Sequence, residues 1–350
     1  MLQTPGGSQI VERVAVIEEP AEETLVRGPE QSFTPLLPRR YTPEDFDPDA
    51  PASLPVLQEW IDSNRSRVEW DLLRCGGVLF RGFQVLSAEA FQTIVERLGA
   101  NLLNYIVGNS PRTKVSDKVY TSTEYPATES IPLHNELSYL HQWPSKLFFF
   151  CLVAPAKGGE TPIADSRRIL AALDPATRQK FENKGLQYIQ NLHGGNQRLG
   201  KSWQAAFESE DKSVVEQVCA AKDVDFEWKA DGGLRLLHNR QAVAVHPITK
   251  EAVWFSQADL WHPSRFPPAT RRVLMAMFRA DDMPNYVRYG DGSEIDAEDF
   301  ARVSEAAEAE SVAFPWQVGD VLMLDNMLAA HGRCPFAGPR TILVAMSSGV

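Results

Sequence analysis

Eight consecutive apolar residues, Leu147 to Ala154, constrain this chain more than any other stretch. They read Leu-Phe-Phe-Phe-Cys-Leu-Val-Ala, so neither parity of a strand carries a polar side chain. The run falls well short of the roughly 20 residues that a helix needs to cross a bilayer. Its length and its aromatic and branched content predict a central strand covered on both faces. The chain must then supply apolar layers above and below that strand. Its 350 residues, 43% of them hydrophobic and 23% charged, are enough for one large domain or two small ones.

The flanking patterns say what those layers are. Leu54, Leu57, Trp60, Ile61, Val68, Leu72 and Leu73 recur at helical steps from Ser53 to the Gly76-Gly77 pair, and Ala88 to Leu98 repeats the pattern. Strand signals stand at Val78 to Phe83, Ala242 to Val245, Ala252 to Phe255, Asp320 to Asp325 and Arg340 to Met346. Residues 1–52 are rich in Glu and Pro with little periodicity, which predicts an extended arm before a domain over 53–350. Residues 167 to about 230 are charged and read as a largely helical insertion, with Asp174 as an N-cap and Pro175 in the first turn. Strands, a helical insert and strands again, with no internal repeat, G-x-G-x-x-G or P-loop, predict a mainly β fold with peripheral helices, a distorted antiparallel barrel or jelly roll.

Charge and cysteines narrow the function. A net charge of −11 offers no broad face to a phosphate backbone, so a nucleic-acid partner is not expected. The N-terminal stretch is acidic and proline-bearing where a signal peptide is basic and then greasy, so neither a membrane nor a secreted protein is expected, and the cytoplasm is. Cys75, Cys151, Cys219 and Cys334 form no C-x-x-C pair and read as thiols in a reducing compartment. Cys334 lies three residues from His331, but thiolate is a soft ligand. A small-molecule enzyme fits these bounds.

His134-Asn135-Glu136 offers two metal ligands at i and i+2, which on a strand share a face. Seven histidines and 46 acidic residues in this chain give about one such tripeptide by chance, so it decides nothing alone. His331 follows one strand signal and precedes a Cys-Pro-Phe-Ala-Gly-Pro turn into another, a hairpin able to bring a third ligand to a barrel mouth. Arg340 heads the last strand, sharing a face with Ile342, Val344 and Met346, and a lone arginine there calls for an anion. Two histidines and a carboxylate on one side of Fe(II) leave three positions open, enough for a chelating keto acid and dioxygen. The distal carboxylate of that keto acid suits arginine's planar fork.

With these residues the sequence resembles the taurine dioxygenase (TauD/TfdA) superfamily of Fe(II)/2-oxoglutarate oxygenases. The similar stretches are Leu79-Phe-Arg-Gly-Phe, Ser110-Pro-Arg, Ile131-Pro-Leu-His-Asn-Glu-Leu-Ser-Tyr, Phe149-Phe-Cys, Gly158-Gly-Glu-Thr-Pro-Ile-Ala-Asp-Ser-Arg, Trp316-Gln-Val-Gly-Asp-Val-Leu-Met-Leu-Asp-Asn and His331-Gly-Arg-Cys-Pro-Phe-Ala-Gly-Pro-Arg. The closer match is to the branch with clavaminate-synthase-like proteins and syringomycin-type aspartate hydroxylases. The resemblance implies a double-stranded β-helix, with His134, Glu136 and His331 as iron ligands. It also implies that Arg340 and Thr161 bind the far carboxylate of 2-oxoglutarate, with O2 as the second cosubstrate. Taurine dioxygenase carries a second arginine four residues after the oxoglutarate arginine, for the sulfonate. Val344 stands there, which argues against a sulfonate substrate.

Asn104, Tyr105 and Arg112 occupy the stretch where family members line the substrate pocket, and Arg333 follows the distal histidine. All four are candidates for substrate contact, the arginines for a carboxylate. The expected reaction is hydroxylation of an amino acid at its β carbon, either free or presented by a peptidyl carrier protein. Desaturation or oxidative cyclisation by the same chemistry is the alternative within the class. A non-catalytic jelly-roll binding protein is the alternative outside it.

Overall fold

The computed structural model describes residues 37–46, 51–99, 101–103, 113–116, 118–123, 125–195 and 200–348. The chain opens with β1 (Arg39–Tyr41), α1 (Leu54–Cys75), β2 (Gly77–Phe80) and α2 (Ala88–Arg97). Then come β3 (Asn101–Leu102), β4 (Lys114–Ser116), β5 (Val119–Thr121), β6 (Ile131–His134), β7 (Lys146–Val153), β8 (Lys157–Gly158) and β9 (Ile163–Asp165). A middle region holds α3 (Ser166–Ala172), α4 (Pro175–Lys184), β10 (Leu186–Leu192), α5 (Trp203–Phe207), α6 (Lys212–Ala221), β11 (Asp225–Trp228), β12 (Leu234–Arg240), β13 (Val243–Val245), β14 (Ala252–Trp254), α7 (Pro268–Met277), β15 (Asn285–Tyr289) and α8 (Ala297–Ala309). The chain returns through β16 (Ser311–Val312), β17 (Val321–Asp325), β18 (Ala329–Arg333), β19 (Phe336–Ala337) and β20 (Thr341–Ser348).

β7, the apolar run, lies between β17 and β20, antiparallel to both, in the order β1-β2-β17-β7-β20-β5-β4, with β3 also on β20. Period-two alternation divides these strands between two cores. Phe148, Phe150, Val321, Met323, Leu343 and Ala345 face α1 and α2, whose Leu57, Ile61, Phe91 and Ile94 cover them. Leu147, Phe149, Cys151, Leu322, Leu324, Ile342 and Val344 face the other way, onto Ile163 of β9 and Ala329 of β18. Those strands belong to a second sheet, β16-β9-β18-β6, whose outer face packs Ala164 and Ala330 against Leu170, Phe181 and Trp254. Each phenylalanine buried in β7 contributes about 1.5–3 kcal/mol. Two facing sheets, largely antiparallel, with helices outside form the jelly roll, and its inter-sheet space houses the site.

α1 ends at Gly76, whose left-handed backbone terminates the helix, and Ser87 caps α2 by accepting from Ala90 N–H. Asp174 caps α4 through Ala176 and Thr177 N–H, as its sequence predicts. Of the arm expected over 1–52, residues 1–36 and 47–50 lie outside the described residues. In the described part, β1 pairs in parallel with β2, and Tyr41 is buried against Trp60 and Phe80.

The region expected to be a largely helical insertion holds α3, α4, α5 and α6, but β10 and β11 as well. They belong to a sheet ordered β11-β12-β10-β15, which draws on strands beyond residue 230. β10 escapes a periodicity reading because Gln190 is buried, so its polar residues fall at both parities. Among the described residues no helix is long and apolar enough to cross a membrane.

Candidate active site

β6 and β18 run antiparallel with His134 directly opposite His331, so the two imidazoles stand 4.4 Å apart between ring centroids. His134 Nδ1 lies 2.8 Å from the Pro132 carbonyl, which can only accept, so Nδ1 carries the proton and Nε2 keeps its lone pair for a metal. Glu136 completes the group, with Oε2 3.9 Å from His331 Nε2. One ligand atom from each of the three residues lies within 4.8 Å of the others, and all three side chains are buried. Two imidazoles and a carboxylate clustered on one side suit Fe(II) with open positions.

The expected strand geometry of His134-Asn-Glu needs correction. β6 ends at His134, and Glu136 lies in the turn beyond it, followed by Leu137 at φ 55°. Asn135 N–H bonds to Ser256 O instead of to a strand of the sheet, which ends the ladder. The chain therefore bends, and the two side chains converge by a turn, not by sharing the face of a strand.

Beside this cluster opens a small cavity whose walls include Phe149, Thr161, Arg340, Ile342 and Val344. Arg340 donates from Nε to Gly159 O at 3.0 Å and from Nη1 to Ser122 Oγ at 3.3 Å. Among the described residues no carboxylate lies within ion-pair reach of it. Burial first, and the Arg333 charge second, pull its pKa down to about 10. Thr161 is buried, and its Oγ1 accepts from Trp316 Nε1 at 3.2 Å, which leaves the hydroxyl proton for a second partner. Phe149 packs on His331 at 5.1 Å between centroids, an apolar wall behind the ligands.

The Gly158-Gly159 pair packs closely on the hairpin between His331 and Arg340. Both residues have positive φ, 68° and 74°. A Cβ on Gly158 would sit 2.2 Å from Pro335 O, in the hairpin between His331 and Arg340. Gly159 N–H bonds to that same carbonyl at 2.9 Å.

The structure thus brings His134, Glu136, His331, Thr161 and Arg340 to one place. Asn104, Tyr105 and Arg112 lie outside the described residues. Arg333 lines the cavity, but its Nη1 donates to Tyr125 O, and its Nη2 to Pro126 O and Glu129 O, at 3.0, 2.6 and 2.8 Å. These bonds anchor the segment leading into β6 and use three of the five guanidinium donors, while the buried Nε has no hydrogen-bond partner among the described residues. Cys334 is not in the ligand cluster. Ser122 carries no motif signal, since a serine after a strand reads as an ordinary fold residue, and Trp316, though it opens a family-like stretch, is not among the site residues that the sequence singles out.

Residues 33–346 match the family described as taurine catabolism dioxygenase TauD, TfdA. The dapdiamide synthesis protein DdaC of Enterobacter agglomerans is 39% identical over 271 residues, 77% of this chain and 82% of that protein. A clavaminate synthase-like protein of Arabidopsis thaliana is 33% identical over 305 residues, 84% of this chain and 88% of its own length. Among solved structures, PvcB of Pseudomonas aeruginosa aligns at 15% identity and a TM-score of 0.48, covering 82% of this chain and 80% of PvcB.

Proposed function

Because the chain belongs to the TauD, TfdA family of dioxygenases, and so works with iron(II), 2-oxoglutarate and O2, we propose that it hydroxylates an amino acid or aminoacyl unit in specialised metabolism, at the carbon β to the carboxyl group. In this reading His134, Glu136 and His331 hold the metal, while Arg340 and Thr161 hold the far carboxylate of 2-oxoglutarate. The observation that carries it is the half-buried Arg340 cation, bonded to two neutral oxygens and lining one cavity with His134 and His331 of a buried His-Glu-His cluster. Such a cation favours an anionic occupant.

Iron(II) supplies the activation of O2 that couples oxidative decarboxylation of 2-oxoglutarate to substrate oxidation. The chain's own residues set the geometry. Arg340 and the Thr161 hydroxyl fix one end of the cosubstrate, so that its keto-acid end faces the cluster. Trp316 Nε1 donates to the Thr161 oxygen, which leaves the hydroxyl proton free to be donated to the cosubstrate. Phe149, Ile342 and Val344 make the neighbouring walls apolar and limit water there.

Val344 leaves no cation four residues beyond Arg340, which supports a substrate without a sulfonate. The Enterobacter relative is named for dapdiamide synthesis, and this supports a place in specialised metabolism. A net charge of −11 gives no long-range attraction for a free anion. Capture then depends on local contacts, for which Asn104, Tyr105, Arg112 and Arg333 are our candidates, or on delivery by a peptidyl carrier protein.

The test is succinate release under air with taurine, free aspartate, other amino acids and aminoacyl-carrier substrates, followed by mass spectrometry of the product. We expect a hydroxylated amino-acid product. His134→Ala, Glu136→Ala and His331→Ala should each abolish turnover while remaining folded by circular dichroism, and Arg112→Ala should raise the substrate KM. Turnover of taurine with none of any amino-acid substrate overturns the substrate class. Parent-rate succinate from a ligand variant overturns that ligand.

A further inference from the structure

Glu136 lies beyond the end of its strand, so no sheet ladder holds its backbone. We infer that Asn326 is the positioning residue that sets the Glu136 carboxylate against the two histidines. The inference rests on the reading of Glu136 as a metal ligand.

Asn326 grips Glu136 by both main-chain polar groups. Its Oδ1 accepts from Glu136 N–H at 2.8 Å, and its Nδ2 donates to Glu136 O at 2.9 Å. One side-chain amide thus does for this residue what a neighbouring strand does for a residue in a ladder. The second Nδ2 hydrogen goes to Pro144 O at 2.8 Å, so both donors of the amide are used. The grip is reciprocal, since Asn135 Nδ2 donates to Asn326 O at 2.8 Å while Asn135 Oδ1 accepts from Ser256 N–H. Both asparagines are fully buried, where water cannot replace a lost partner.

Asn326 also stands where the chain enters the other ligand segment. Asp325, the last residue of β17, accepts from Met327 and Leu328 N–H at 2.9 Å each, forming the turn into β18, which carries His331. His246 Nε2 pairs with the second Asp325 oxygen at 3.2 Å and keeps that turn in place. Asn326 therefore ties the Glu136 bend directly to the turn that delivers His331. A carboxylate arm with rotatable bonds reaches a metal reproducibly only if its backbone is fixed, and groups that orient a ligand typically carry 10- to 100-fold of metal affinity.

Mn(II) titration of the apo-protein tests this without turnover. Asn326→Ala and Asn326→Asp should weaken Mn(II) binding about 10- to 100-fold. The aspartate keeps the shape and one acceptor, but it sets a second oxygen against the carbonyls of Glu136 and Pro144. Asn191→Ala is the control for loss of a partly buried amide elsewhere, because Asn191 of β10 bonds Asp281 O and Met283 O in the turn before β15 through its Nδ2, and it should stay within twofold of the parent. Glu136→Ala goes through the same titration. Parent-like affinity in Glu136→Ala refutes the ligand reading, whereas weakened Glu136→Ala beside parent-like Asn326 variants refutes the positioning role alone. Should neither Asn326 variant fold, hydrogen exchange on the unaltered apo-protein decides: the Glu136 amide should exchange as slowly as the amides of β7, and fast exchange overturns the inference.

Discussion

Arg340→Gln isolates the charge of the anchor, because glutamine retains hydrogen-bonding capacity and much of the length. In the structure the guanidinium is held by Gly159 O and Ser122 Oγ, both neutral, and burial foremost pulls its pKa down to about 10 from the ordinary 12.5. That displacement corresponds to about 3 kcal/mol against the cation, an amount that a carboxylate entering the cavity offsets. Removing the cation forfeits a partly desolvated charge pair, which costs roughly 2–5 kcal/mol. A loss of about 3 kcal/mol is about two orders of magnitude in affinity. The assay is anaerobic calorimetric titration of 2-oxoglutarate into the Mn(II)-loaded protein, beside the 2-oxoglutarate KM from succinate release. Mn(II) affinity itself should stay within twofold of the parent, since Arg340 is not among the clustered ligands. Arg340→Lys should fall between, keeping the charge without the planar fork. Parent-like 2-oxoglutarate affinity in a folded, metal-competent Arg340→Gln protein would refute the anchor.

Gly158→Ala should lower stability by more than about 2 kcal/mol and raise the 2-oxoglutarate KM, because left-handed strain adds to a Cβ 2.2 Å from Pro335 O. Gly292→Ala, at φ 84° with nothing within 4 Å, should cost only about 1 kcal/mol, so equal melting temperatures for the two variants would remove the packing argument. His238 is buried against Tyr139, and burial, then the Arg240 and His141 charges, push its pKa down to about 3. The unfolded chain, with an ordinary imidazole, binds the extra proton, so this group costs stability as pH falls from about 6.5 toward 3, by about 1.4 kcal/mol per pH unit. In urea titrations from pH 7 to 4.5, His238→Phe should lose stability less steeply than the parent, and parallel curves would contradict the assignment.

The parts of this molecule legible in its sequence are those where one local pattern has one physical solution. The Leu147 to Ala154 run has no polar side, so only a doubly covered strand accommodates it, and β7 is that strand. The α1 periodicity closes on a glycine able to take left-handed backbone. Glu136 was legible as a residue type but not in its geometry, because whether a His-x-Glu stays extended depends on what its middle residue bonds. Asn135 bonds Ser256, more than a hundred positions away. Ser122 was illegible for the same reason, and Trp316 and Asn326, though they begin and end a family-like stretch, gave no sign of their partners: those contacts exist only once distant strands are in register. The β11-β12-β10-β15 sheet was hidden by a buried glutamine that breaks alternation.

The register of His134 against His331 ties the site to the order of synthesis. The two residues are separated by about 200 positions, so β18 is made long after β6. Closing so long a loop has an entropic cost that only late, non-local pairing repays. A chain still on the ribosome, lacking β18, has one histidine and one carboxylate, which hold a hard divalent ion weakly. If His134, Glu136 and His331 hold the metal as proposed, the oxidising centre is assembled only when the sandwich closes around it, and a nascent chain would not carry a reactive metal with its apolar faces still open.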